Sequence, residues 1–201
     1  MDWTPVTERI LLGECPSSSE DVLALRPQGV EGVLSVQHDA CLAGLGLDWD
    51  ALAASLRAAG LRPARVPMRD FDEADMRRRL PEAVRTLHGL LAGCRAVYVH
   101  CTQGVGRSPL VVAAYLSFVE GLDPVEAYAR VRRARPKVVP LWDALMGCRT
   151  DLLLGAGPEI ERRTAARCPA DAGEETRALV REGVQAELLR ERVLAAPAQM
   201  S

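Results

Sequence analysis

Cys101 and Arg107 stand six positions apart, separated by Thr102, Gln103, Gly104, Val105 and Gly106, and Ser108 follows the arginine. A thiol, two glycines and a guanidinium at this spacing suit one kind of chemistry. Glycine at 104 and 106 admits torsions closed to other residues and lets backbone N–H groups converge. A ring of amides backed by a helix N-terminus binds an anion. The planar fork of Arg107 matches two phosphate oxygens. Cys101 then lies at the floor of a phosphate-sized cup. The same amides, dipole and guanidinium favour thiolate over thiol, which makes the sulfur a nucleophile aimed at the bound phosphorus. The bland alternative is an inert buried cysteine at a strand end. A bare Cys-x5-Arg says little in an arginine-rich chain with six cysteines, so the weight rests on the flanking residues.

Such a loop needs a strand to deliver Cys101 and a helix to receive Arg107. The run AVYVHC (96–101) is the strongest strand signal in the chain. SPLVVAAYLSFVEG (108–121) has proline in its first turn, an apolar face and a glycine stop, and predicts a helix. In a parallel sheet, ligands sit beyond the carboxyl ends of strands, facing helix N-termini. Further strands are expected at 8–16, 32–39 and 64–68. Helices are expected at 17–29, 48–60, in a long stretch ending near Gly93, and at 123–136 and 141–155, with a glycine-rich loop after Asp39. This alternation predicts an α/β fold, a mostly parallel sheet flanked by helices. After Gly155 the sequence turns polar and broken, then regains helical period from Glu174. Residues 1–155 therefore read as a catalytic domain and 156–201 as a helical C-terminal tail.

Composition narrows the options. A net charge of −2 supplies no bulk field toward nucleic acid or a membrane surface, so a phosphorylated substrate must be held locally. Arg77, Arg78, Arg79, Arg130, Arg132, Arg133 and Arg135 could form a steering rim, but solvated helix faces are the preferred reading. No apolar stretch reaches the roughly 18 residues of a membrane span, and the first residues lack the pattern of a secretion signal. Cys15, Cys41, Cys94, Cys101, Cys148 and Cys168 show neither C-x-x-C spacing nor clustered histidines. No metal, no cofactor, reduced thiols and a cytoplasmic location are expected. The sequence sets no oligomeric state.

The pattern His100-Cys101-x2-Gly104-x2-Arg107-Ser108 resembles the signature of the cysteine-dependent protein tyrosine and dual-specificity phosphatases. The resemblance implies that Cys101 becomes a phosphocysteine and that Arg107 clamps the phosphoryl oxygens. It implies that residues 102–106 line the phosphate, that Ser108 donates a hydrogen bond to the sulfur, and that His100 supports the loop. The family carries its general acid, an aspartate, about 30 residues before the cysteine. RDFDEAD offers Asp70, Asp72 and Asp75 at that distance. Asp70 follows the strand at 64–68 directly and is the first choice. Asp72, the alternative, and Asp75 read as cap and first turn of the next helix.

Four segments, ERILLGECPSSSEDVLAL, GVLSVQHDACLAGLGLDWDAL, RDFDEADMRRRLPEAV and VYVHCTQGVGRSP, are similar in order to the plant starch phosphatase and laforin branch, over roughly residues 3–155. The branch implies a phosphorylated glucan as substrate and a channel lined by aromatics, a role that Phe71 fits beside a core-anchor alternative. Gln103 stands where the branch usually has alanine, and Leu45 and Val139 where further aromatics are expected. A protein dual-specificity phosphatase would use the same residues on a phosphoprotein. Rhodanese-like sulfur transfer needs neither Asp70 nor the Arg-Ser pair. An inactive phosphate-binding scaffold would not need Cys101, Arg107 and Asp70 together. A low-pKa thiolate is also oxidised readily, with Cys41 or Cys94 as a candidate resolving thiol.

Overall fold

Every residue of the run Ala96–His100 is buried, and the run forms the central strand of a five-stranded sheet. In this computed structural model, which describes residues 1–169 and 171–195, the strands are β1 (Trp3–Pro5), β2 (Ile10–Gly13), β3 (Val30–Gln37), β4 (Arg62–Met68) and β5 (Ala96–His100). Their order is β1-β2-β5-β3-β4. β5 runs parallel to β2 and β3, β4 parallel to β3, and β1 closes one edge antiparallel to β2. Side chains alternate across a strand. Val97 and Val99 accordingly enter one core with Leu12 and Leu34, and Ala96 and Tyr98 enter the other with Leu11 and Val33.

The helices are α1 (Ser19–Leu25), α2 (Asp39–Gly44), α3 (Trp49–Ala58), α4 (Glu73–Gly93), α5 (Arg107–Phe118), α6 (Pro124–Ala134), α7 (Trp142–Leu153), α8 (Gly157–Arg167) and α9 (Glu174–Leu194). α1 and α3 cover the Tyr98 face; α4 and α5 cover the Val99 face. α5 is buried along its whole length, with the sheet on one side and α4, α6, α7 and α9 around the rest. Its sequence, apolar all round, is what such a position requires. Each fully buried valine or leucine in this packing contributes about 1.5–3 kcal/mol. The caps follow the sequence: Asp48, Asp72 and Asp123 accept from the first-turn amides of α3, α4 and α6.

Several elements depart from expectation. β1 has no counterpart in the sequence reading. The loop expected after Asp39 contains α2, capped by His38. The polar stretch after Gly155 contains α8. α9 packs on α4, α5 and α7 and sends Leu189 and Val193 into the same core as Val99. Of the tail, residue 170 and residues 196–201 lie outside the described residues. Among the described residues no helix is long and apolar enough to cross a membrane, and no cluster of His, Cys, Asp and Glu could hold a metal.

Candidate active site

β5 ends at His100, so Cys101 leaves the middle of the sheet at its carboxyl edge, and α5 begins at Arg107. Residues 102–106 make the turn between them. Gly104 has φ +65°, and a Cβ there would lie 2.5 Å from the carbonyl oxygen of Gly13. Glycine is thus required twice over, by torsion and by space. Gly106 differs from expectation: its φ is −117°, and a Cβ would meet Leu141 at an ordinary 3.6 Å.

The carbonyls of the loop are all engaged. His100 Nδ1 lies 3.1 Å from Cys101 O. Cys15 N donates to Thr102 O at 3.1 Å, and Val139 N to Val105 O at 2.9 Å. Arg135 supplies the two in between, donating to Gln103 O at 3.1 Å and Gly104 O at 2.9 Å. In a trans peptide, C=O and the next N–H point opposite ways. Fixing the carbonyls therefore leaves the loop amides free to converge on a ligand.

Cys101 is 3% exposed, and Ser108 Oγ donates to its sulfur at 3.3 Å. Burial by itself raises a thiol, as it does for Cys15 and Cys148, both pushed up to about 12. At Cys101 burial is outweighed by the hydroxyl and amide of Ser108, the Arg107 guanidinium and the Gly104 amide, and the thiol falls below its usual value. His100 is fully buried, and desolvation pushes it down to about 4. Its ring is neutral at pH 7, stacks on Tyr98 at 5.8 Å, and faces Cys101 O with Nδ1, which assigns the proton to that nitrogen.

Arg107 is 2% exposed. Nη1 donates to Met68 O at 3.0 Å and to Cys41 Sγ at 3.3 Å; Nη2 donates to Asp70 Oδ2 at 2.7 Å and Thr102 Oγ1 at 3.1 Å. Gln37 Nε2 donates to the same hydroxyl at 3.2 Å. The Nε of Arg107 is buried with no partner among the described residues. An unmet donor of this kind costs roughly 1–3 kcal/mol, and an oxyanion accepting from it removes that cost.

Above the loop opens a cleft of about 550 Å³, walled by Phe71, Met76, Val139 and Leu141 and carrying Asp70 and Glu73 at its side. Among the described residues that line it, Arg107 is the one cation. Phe71 is 97% exposed with φ +59°, so the core-anchor alternative falls and the ring stands at the lip. Asp72 caps α4, and Asp75 accepts from Arg69 N and Arg78, so neither belongs to the cleft. Four of the seven arginines pair with carboxylates on helix faces: Arg77 with Asp151, Arg78 with Asp75, Arg79 with Glu82, Arg133 with Glu126; Arg130 and Arg132 lie on α6 outside the cleft. Arg135 differs from the rest in being buried, behind the loop. Cys94 precedes β5 and lies beyond the far end of that strand, whose five residues alone span about 16 Å at ~3.3 Å per residue, too far from Cys101 to resolve it. Cys41, by contrast, touches Arg107.

A larger concavity of about 760 Å³ lies at the opposite edge of the sheet, lined by Arg26, Arg57, Arg62 and Arg95. α3 and α4 end there, and Arg26 donates to Ala59 O at the end of α3. Arg26 thereby answers the C-terminus of α3.

Sequence reasoning missed Gln37, read Arg135 only as a possible rim residue, and named Cys41 as a resolving thiol without its contact to Arg107. Gln37 carried a signal, an amide at the end of an otherwise apolar strand. Arg135 carried none, being one arginine among many.

Residues 41–148 match the dual-specificity phosphatase catalytic domain. The chain is similar to the amyloplastic phosphoglucan phosphatase DSP4 of Castanea sativa, 33% identical over 73% of this chain and 39% of that protein. It is similar to laforin of Mus musculus, 30% identical over 75% of this chain and 49% of that protein. The chain thus spans less than half the length of either relative. The crystal structure of Tk-PTP in its active form matches with a TM-score of 0.61 at 24% identity, over 76% of this chain and 97% of that one, a likeness of fold.

Proposed function

The chain belongs to the dual-specificity phosphatase family, and from that premise we propose that it hydrolyses phosphomonoesters through Cys101, with a singly phosphorylated glucan as substrate. The observation that carries the chemistry is the buried sulfur of Cys101 with its thiol lowered, beside a guanidinium whose Nε has no partner.

The proposed reaction runs in two steps. The phosphoryl oxygens take the loop amides and the fork of Arg107, displacing the Asp70 carboxyl group from Nη2. The thiolate attacks phosphorus, an S–P bond forms, and the P–O bond breaks with its electron pair leaving on oxygen. The Asp70 carboxyl group gives that oxygen a proton. Water then attacks the phosphocysteine while Asp70 takes a proton from it. The S–P bond breaks with its pair returning to sulfur, where the Ser108 hydroxyl donates to the restored thiolate. His100, neutral, takes no proton in either step and holds the Cys101 carbonyl.

The glucan assignment is supported by the cleft and by the name of one relative, the phosphoglucan phosphatase DSP4. Walls of Phe71, Met76, Val139 and Leu141 suit an uncharged ring face, and Asp70 and Glu73 can accept from sugar hydroxyls. One cation neutralises one phosphoryl group; a second phosphate on the substrate would meet Glu73. Six free cysteines among the described residues support the cytoplasm as the place of action.

The test is phosphate release from amylopectin, glycogen, phosphopeptides and phosphoinositides, with Cys101→Ser as blank. Amylopectin is expected to lead and the blank to bind without turnover. Release from phosphopeptides with none from amylopectin overturns the glucan assignment. Turnover by Cys101→Ser overturns the mechanism.

A further inference from the structure

Two of the loop's five carbonyls are held by one side chain that the reaction itself does not touch. We infer that Arg135 is a positioning residue that keeps the phosphate cup open from behind; this rests on the reading of the loop as a phosphate site.

The guanidinium of Arg135 is 3% exposed and lies behind the loop, where Nε donates to Gly104 O and Nη2 to Gln103 O. Pulling those two carbonyls outward turns the N–H groups of Gly104 and Val105 inward. The Gly104 amide is among the donors that bear on the sulfur of Cys101. Arg107 therefore meets the phosphate from within while Arg135 shapes the backbone from without.

Arg135 is itself fixed. Its Nη2 lies 3.2 Å from Asp2 and 3.8 Å from Glu14. Lys137 Nζ bridges the same two carboxylates at 2.8 and 3.0 Å. Thr4 Oγ1 donates to Ala134 O at 3.0 Å, tying the chain beside Arg135 to β1. β1 and the turn after β2 thereby act as a brace for a loop some 90 positions later. Lysine cannot replace this arrangement, because a point charge cannot serve two carbonyls with a planar fork.

The test uses two variants of the whole chain, Arg135→Lys and the double substitution Asp2→Asn with Glu14→Gln. Two readouts need no turnover: the dissociation constant of orthovanadate by calorimetry, and the pH dependence of Cys101 alkylation by iodoacetate. The charged and titratable groups around the loop are Arg107, Asp70, His100 and Cys15 on the side of the sulfur, and Arg135, Asp2, Glu14, Lys137 and Tyr98 behind it. Arg135→Lys is expected to weaken orthovanadate roughly tenfold, the equivalent of one charge-assisted hydrogen bond. It is expected to move the acid limb of alkylation to higher pH. The double variant should move both in the same direction by less. If the wild type binds no orthovanadate, the phosphate-site reading fails. If the wild type binds and both variants match it in affinity and pH limb, the positioning role is overturned. Should Arg135→Lys fail to fold, the double variant, confined to exposed Asp2 and half-buried Glu14, decides alone.

Discussion

The floor and the lip of the cleft follow opposite rules. At the floor, five consecutive carbonyls, from Cys101 to Val105, each face a donor, and Arg107 makes four hydrogen bonds while almost wholly buried. At the lip, Phe71 stands in solvent in a left-handed conformation, with exposed Glu73 and Val139 for company. A left-handed torsion at a bulky residue costs of order 1–3 kcal/mol and persists only when something else holds the chain there. Here the holder is the turn from β4 into α4, which aims Asp70 at Arg107. The contrast teaches where each property of the site resides. The reaction is specified by a surround that allows one geometry, and the choice of substrate is left to side chains under few constraints.

Asp70 belongs to both regions, since its backbone lies at the lip and its carboxyl group reaches the floor. Asp70→Asn is therefore expected to show the largest effect, a loss of roughly 10²–10⁴ in kcat on sugar and alkyl phosphates. An aryl phosphate, whose leaving oxygen needs no proton, should lose far less. Equal losses on both classes, read from initial rates, would show that Asp70 serves only to hold Arg107.

Gly104→Ala strikes the floor alone. The new methyl would press on Gly13 O at 2.5 Å, so the loop must shift. A displacement of about 1 Å at a reacting centre costs roughly 100-fold in kcat/KM. The loss should be the same for every substrate in a panel; a loss confined to polymers would blur the boundary between floor and lip.

Phe71→Gly strikes the lip alone and is expected to do least. Relief of the torsion and the extra freedom of glycine nearly cancel, so stability should stay within about 1 kcal/mol by thermal unfolding. A small aryl phosphate should turn over as before, while KM for a glucan rises severalfold. A drop of several kcal/mol would show that the ring is structural after all.

What could be read from sequence divides along the same line. β5 and α5 were legible because their apolar runs are unbroken and punctuated by Gly106, Pro109 and Gly121. The caps Asp48, Asp72 and Asp123 were legible because their function is local. β1 was not, since three residues ending in proline at a sheet edge leave no period to detect. α2 is too short for its apolar spacing to differ from that of a loop. Gly104 and Gly106 look alike in sequence, yet only the first has a torsion and a neighbour that demand glycine. Arg135 was illegible for a stronger reason: its burial depends on Asp2 and Glu14, partners fixed only once β1 and β2 have joined the sheet.

α9 lies across α4, α5 and α7, with Leu189 and Val193 closing the core around the helix that begins at Arg107. During synthesis the ribosome delivers Cys101 and Arg107 well before this cover. The nascent chain must therefore leave open the part of this core that Leu189 and Val193 fill until α9 emerges, which makes that interval the one in which a chaperone would find something to hold.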